Sequence, residues 1–166
     1  MPTPIETEVM RLLTSVDVQP AVSAARIMEL GTPAVTVVCE AALGSYPGLR
    51  NKTRTNAVAL LGWLAHPQAA ETVALLVGDE DPDVAIRALR AAGRSGNQAA
   101  VARISALLTR PETPPVIAAE AVRSLSTVGS PNAVDAVETY RHVGENVLAH
   151  RGSTVVRTAL EEGPLA

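Results

Sequence analysis

The sequence predicts an all-α solenoid, in which about four to five helix pairs stack in a row behind a single capping helix at the N-terminal end. Three observations carry this. A run of small and apolar residues followed by a Gly- or Pro-bearing turn recurs along the chain. Taking Pro33, Pro67, Gln98 and Pro131 as equivalent gives spacings of 34, 31 and 33 residues, inside the range of roughly 20 to 50 that marks a repeat architecture. Within each unit the apolar positions advance in steps of three and four, which places them on one face of a helix. Hydrophobic residues make up 47% of the chain but aromatics only 2%, with no Phe. The core must therefore be built from Ala, Val, Leu and Ile, whose small side chains let helix axes approach toward the lower end of the usual ~8 to 10 Å.

Taken in order, the first element is a helix over about 5 to 16, with Ile5, Val9, Leu12, Leu13 and Val16 on one side to cover the end of the stack. Pairs follow at 20–30/33–43, 53–64/67–77, 82–93/98–109 and 115–127/132–143, and a last helix at about 153–162. In the first helices Ser23, Ile27 and Leu30 correspond to Ala57, Leu61 and Leu64, to Ala88, Ala92 and Ser95, and to Ala121, Leu125 and Val128. In the second helices the column Cys39, Val73, Ile104 and Val137 repeats the logic. The turns "GTPA", "AHPQA", "SGNQA" and "GSPNA" stop one helix and start the next. Gly accepts the left-handed conformation that ends a helix, and Pro suits a first turn whose N–H would have no partner. Asp81 is placed to cap the helix that Pro82 opens, with Asp83 in the positive end of its dipole. The expected units are an N-terminal cap at 1–17, repeats at 18–48, 49–80, 81–113 and 114–148, and a C-terminal half repeat at 149–166. Longer connections are "GSYPGLRNK", "TRPETPP" and "HVGENVLAHRG".

This pattern resembles HEAT repeats, in particular the short bacterial kind grouped with phycobilisome-lyase HEAT-like repeats. Arg54, Ala57, Leu61 and Gly62 match their first helix in the second unit, as do Asp81, Pro82, Val84, Ala88 and Gly93 in the third. Ala85 stands where the family usually has Arg. The resemblance implies a right-handed superhelix whose second helices line the concave face. It also implies a protein-binding scaffold or adaptor without catalytic residues. The alternative it raises is a bilin-lyase type of protein handling a tetrapyrrole.

Composition and motifs narrow the function classes. The net charge of −3 argues against the positive field that nucleic acid requires, and with three aromatic residues in all the basic, aromatic groove of HEAT-like DNA glycosylases is not expected. Cys39 is the only cysteine, so no intrachain disulfide or paired-cysteine zinc site can form. Its column is a core column, which makes it a small hydrophobe rather than a nucleophile. His66, His142 and His150 are expected in turns or loops, and no His-Glu dipeptide occurs, unlike the iron-binding HEAT-like hydroxylases. No cofactor or metal is expected. The stretch "GRSGN" lacks a Walker lysine, and the "NKT" sequon is attributed to chance. With neither a signal-like N-terminus nor a long uncharged apolar run, a cytoplasmic protein that makes no membrane contact is expected.

Charge placement supplies the candidate binding residues. Glu71 and Asp135 share a column on the second helices, as do Glu40 and Glu138, which predicts a mildly acidic groove suited to a basic protein or peptide. Arg90 and Arg123 share a column on the first helices and predict a basic outer face there. Trp63 has the polar column mates Glu29, Arg94 and Thr127. An indole in that column is either an exposed anchor for a partner or a cover over the "GSYPGLRNK" connection. The C-terminal helix lacks a second helix of its own, so its apolar side, Val155, Val156 and Leu160, either folds back as a cap or offers a surface for self-association.

Overall fold

The computed structural model describes residues 1–15, 19–151 and 154–162, with side chains described through 142 and again from 158. Among the described residues there is no strand. The helices are α1 (Pro4–Thr14), α2 (Pro20–Leu30), α3 (Thr32–Ala42), α4 (Asn51–Leu61), α5 (Pro67–Leu76), α6 (Pro82–Ser95), α7 (Gln98–Thr109), α8 (Pro115–Val128), α9 (Pro131–Arg151) and α10 (Thr154–Glu162).

Local chemistry accounts for most of these boundaries. Thr3 and Glu6 form a reciprocal capping box at the start of α1, so two backbone N–H groups that no helical carbonyl can reach are satisfied. Asp81 Oδ1 accepts from the N–H of Asp83 at 2.9 Å, capping α6 as expected. His66 Nδ1 does the same for Gln68 at 3.2 Å on α5, which makes this histidine a cap. Gly96 (φ 61°) and Gly129 (φ 63°) close α6 and α8 in the left-handed region. One boundary differs from expectation. The segment 142–151, expected as a connection, continues α9 to Arg151, so His142 and His150 lie on a helix; the side chain of His150 is outside the described ones. The segment holds no proline, and the single Gly144 costs a helix only ~1 kcal/mol relative to Ala.

The helices stack in two rows. First helices α2, α4, α6, α8 and α10 each meet the next in their row, as do second helices α3, α5, α7 and α9. This is the α-solenoid that the repeat spacing predicts. The column Cys39, Val73, Ile104 and Val137 is buried throughout, so equivalent positions do occupy equivalent environments. In the first-helix row the backbones come very close. A Cβ on Gly62 would lie 2.7 Å from Cα of Ala91, and one on Gly93 would lie 3.4 Å from Cα of Ser124. Ser124 Oγ donates to the carbonyl of Leu89 at 2.7 Å across the same seam. Packing this tight is open only to Gly, Ala and Ser, which explains the aromatic-poor composition.

The two ends of the stack are built differently. Helix α1 lies on α3 and α4, burying Val9, Leu12 and Leu13, and Asn56 Nδ2 of α4 donates to the Leu13 carbonyl at 3.0 Å. Val16, the last expected member of that face, is outside the described residues. Helix α10 packs on α8, where the first helix of a further unit would sit. Ala159 is buried there and Leu160 is half-buried. Arg123 reaches Glu162 at 3.2 Å, and Arg141 Nη2 donates to the Leu160 carbonyl at 3.2 Å. The side chains of Val155 and Val156 are outside the described ones.

Candidate functional site

Several polar side chains work inside the stack. Arg54, the family-pattern arginine of α4, donates Nε to the Ala42 carbonyl at the end of α3 (3.0 Å) and Nη2 to Asp79 Oδ2 (2.7 Å). A helix-terminal carbonyl is thus satisfied from the next unit. Ala118 stands in the Arg54 column of the fourth unit, and there Thr113 Oγ1 does the equivalent work for Leu107 O at 2.7 Å. Asn97 Nδ2 donates to the Ala70 carbonyl at 2.7 Å, and Thr36 Oγ1 to Gln68 Oε1 at 3.0 Å, each joining neighbouring units.

Arg90 and Arg123 turn out to be parts of this internal bracing. Glu120 of α8 is only 6% exposed. Its carboxylate accepts from Arg90 Nε at 2.9 Å and from Arg123 Nη1 at 3.2 Å. Arg123, with its side chain 20% exposed, is also tied to Glu162. The carboxylate of Glu120 raises the Arg90 pKa above its ordinary value, so both guanidinium charges face a buried counter-charge. The expected free basic face is reduced accordingly. The sequence signal for Glu120 is the Glu-x-x-Arg step from 120 to 123.

Trp63 is 42% exposed, and Arg94 of the next unit holds its guanidinium carbon 4.7 Å from the ring centroid. The column mate noted in the sequence is therefore its stacking partner, in the geometry of a cation–π contact. The guanidinium covers one part of the indole while a large part of it meets solvent.

On the second-helix row, Glu40, Glu71, Asp135 and Glu138 are all exposed. Glu40 accepts weakly from the Tyr46 hydroxyl at 3.3 Å, and Glu138 meets Arg141 at 3.6 Å. The four acids do not make the row uniformly acidic. Between α5 and α7 runs a shallow groove of about 460 Å³, lined by Leu75, Ala102, Ala106, Arg103 and Arg110 among others. Leu75 is 53% exposed in it, and both arginines are exposed. The third unit, which looks like a gap in the acidic columns, thus carries positive charge one residue further along, at Arg103.

Cys39 is buried, and burial pushes its thiol pKa above the ordinary value, away from the thiolate a nucleophile needs. No group of three or more His, Cys, Asp or Glu that could hold a metal occurs among the described residues, and no helix there is long and apolar enough to cross a membrane.

Stacked helix pairs with polar bracing inside the stack and mixed apolar and charged side chains on the second-helix row define a helical-repeat protein of the α-solenoid class. The family of HEAT repeats matches residues 49–120 and, overlapping them, 71–147. The chain belongs to the HEAT-repeat family. No match to it is found among curated proteins. HEAT repeats generally mediate protein–protein interaction, and the family is generally non-catalytic.

Proposed function

We propose that the chain is a non-catalytic scaffold or adaptor that seats a partner protein or peptide on the second-helix row of the solenoid, with Trp63 as an anchor at the edge where the first helices end. One observation supports this above others. The polar groups needed to hold the stack are engaged within it, while Glu71, Leu75, Arg103, Arg110 and Asp135 face outward along neighbouring helices. A row of exposed apolar and charged side chains on a stiff curved support is what a partner surface can read without any change of fold. Tryptophan is also enriched among the residues that dominate binding energy.

The test is affinity capture from the native lysate, run in parallel with wild type, Trp63→Ala and the double variant Glu71→Lys/Asp135→Lys. The expected outcome is one protein captured by wild type and lost or strongly depleted in both variants, with unchanged far-UV circular dichroism. Retention of that protein by every variant would remove the reading. A tetrapyrrole absorbance band on the purified chain, in place of a protein partner, would replace it with the chromophore-handling alternative.

A further inference from the structure

Resting on the scaffold reading, the geometry points to a specific occupant for the groove between α5 and α7: we infer that it binds an acidic amphipathic helix of a partner protein. Arg103 and Arg110 are seven residues apart on and just beyond α7. Two turns of helix separate them by roughly 10 Å along one face. Among the described residues neither guanidinium makes a hydrogen bond or ion pair, in contrast to those of Arg11, Arg26, Arg54, Arg90, Arg123 and Arg141. Between them, across the groove, the repeat spacing sets Leu75 beside Ala106, and Leu75 is more than half exposed. Ala102 and Ala106 keep the floor shallow, so nothing from the chain's own second-helix row covers the leucine.

The occupant follows from matching these three features. An α-helix that carries carboxylates at positions i and i+7 spans the same roughly 10 Å, and its residues i+3 and i+4 then fall on the same face between them. Apolar side chains there would cover Leu75 while the carboxylates meet the two guanidinium groups, each able to accept two N–H bonds from one arginine. A basic helix would place like charges together at both points and is disfavoured by the same geometry. Glu71, one helical turn before Leu75, is level with Ala102 across the groove, so on the α5 side that end accepts a basic residue of the partner helix while the carboxylate meets Arg103 on the α7 side.

The experiment uses the full chain and three labelled helical peptides of ~18 residues, read by fluorescence anisotropy. One carries Glu at i and i+7 with Leu at i+3 and i+4; the second replaces both Glu by Lys; the third replaces both Leu by Ser. The expected result is saturable binding of the Glu/Leu peptide, at least ten-fold weaker for the other two. Arg103→Glu and Leu75→Ser should each weaken it at least ten-fold, and Arg103→Glu/Arg110→Glu should shift preference to the Lys peptide. All three positions are exposed, so far-UV circular dichroism should not change. Absence of saturable binding, equal binding of Glu and Lys peptides, or indifference to Arg103→Glu would overturn the inference. If the captured partner is lost with Trp63→Ala and Glu71→Lys/Asp135→Lys but held undiminished by Arg103→Glu, the scaffold reading stands and the acidic-helix occupant is wrong.

Discussion

Gly62 and Gly93 occupy the same repeat position on successive first helices, yet their neighbours leave them different room. At Gly62 an added Cβ would sit 2.7 Å from a backbone carbon of Ala91, which cannot swing aside. At Gly93 the nearest atoms are at 3.4 Å. Gly62→Ala should therefore push α4 and α6 apart and destabilise the chain by about 1 to 3 kcal/mol. Gly93→Ala should come out within ~1 kcal/mol of neutral, because a smaller steric cost is offset by the helix preference of Ala. Urea denaturation of both variants checks this, and equal losses would mean that the row is not built on the Gly62 contact. At this scale the core columns were legible in the sequence, since burial follows a fixed spacing. The fate of Arg90 was not, because its carboxylate lies thirty residues away on another helix and no local pattern encodes that pairing. Arg103 escaped for a related reason: it stands one residue off the column that holds Glu71 and Asp135, while Arg110 follows the last residue of α7.

Helix boundaries were readable wherever the chain carries a residue with a single physical use, such as Pro at a first turn or Asp81 at a cap. Where no breaker stands, as after His142, the α9 helix simply ran on to Arg151. The apolar stripe of α1 predicts a capping role, and the helix lies on α3 and α4. Leu12 is buried at that contact, so Leu12→Asp puts a carboxylate in an apolar seam in addition to removing packing. We expect a loss of about 2 to 5 kcal/mol, seen as a lower thermal midpoint by circular dichroism. An unchanged midpoint would show that α1 does not hold the end of the stack.

In the whole molecule, contact runs from each helix to its neighbours along the row and to those beside it in the other row, most heavily from the second helix of one unit to the first helix of the next, and scarcely further. Stability is then close to a sum of unit terms and nearest-neighbour seams. That architecture was legible because recurrence exposes it; the partner was not, because outward residues are free of the spacing that burial imposes. A consequence follows for local opening. Helix α1 is held on one side only, by three buried aliphatic residues, the Asn56 bond and a 3.8 Å ion pair from Glu8 to Arg26. Helix α6 is flanked by α4 and α8 in its row and by α5 in the other. Freeing α1 breaks one seam, whereas freeing α6 breaks seams on two sides. Amide hydrogen exchange should therefore be faster in residues 4–14 than in α6 and α8, with α8 slow because eight of its fourteen residues are buried and α10 covers its far side. The exchange free energy of α1 should fall well below that of α6. Mass-spectrometric exchange on the full chain reads both at once. Equal protection of α1 and α6 would mean that the molecule opens as one unit, and that a sum of seams is the wrong description of its stability.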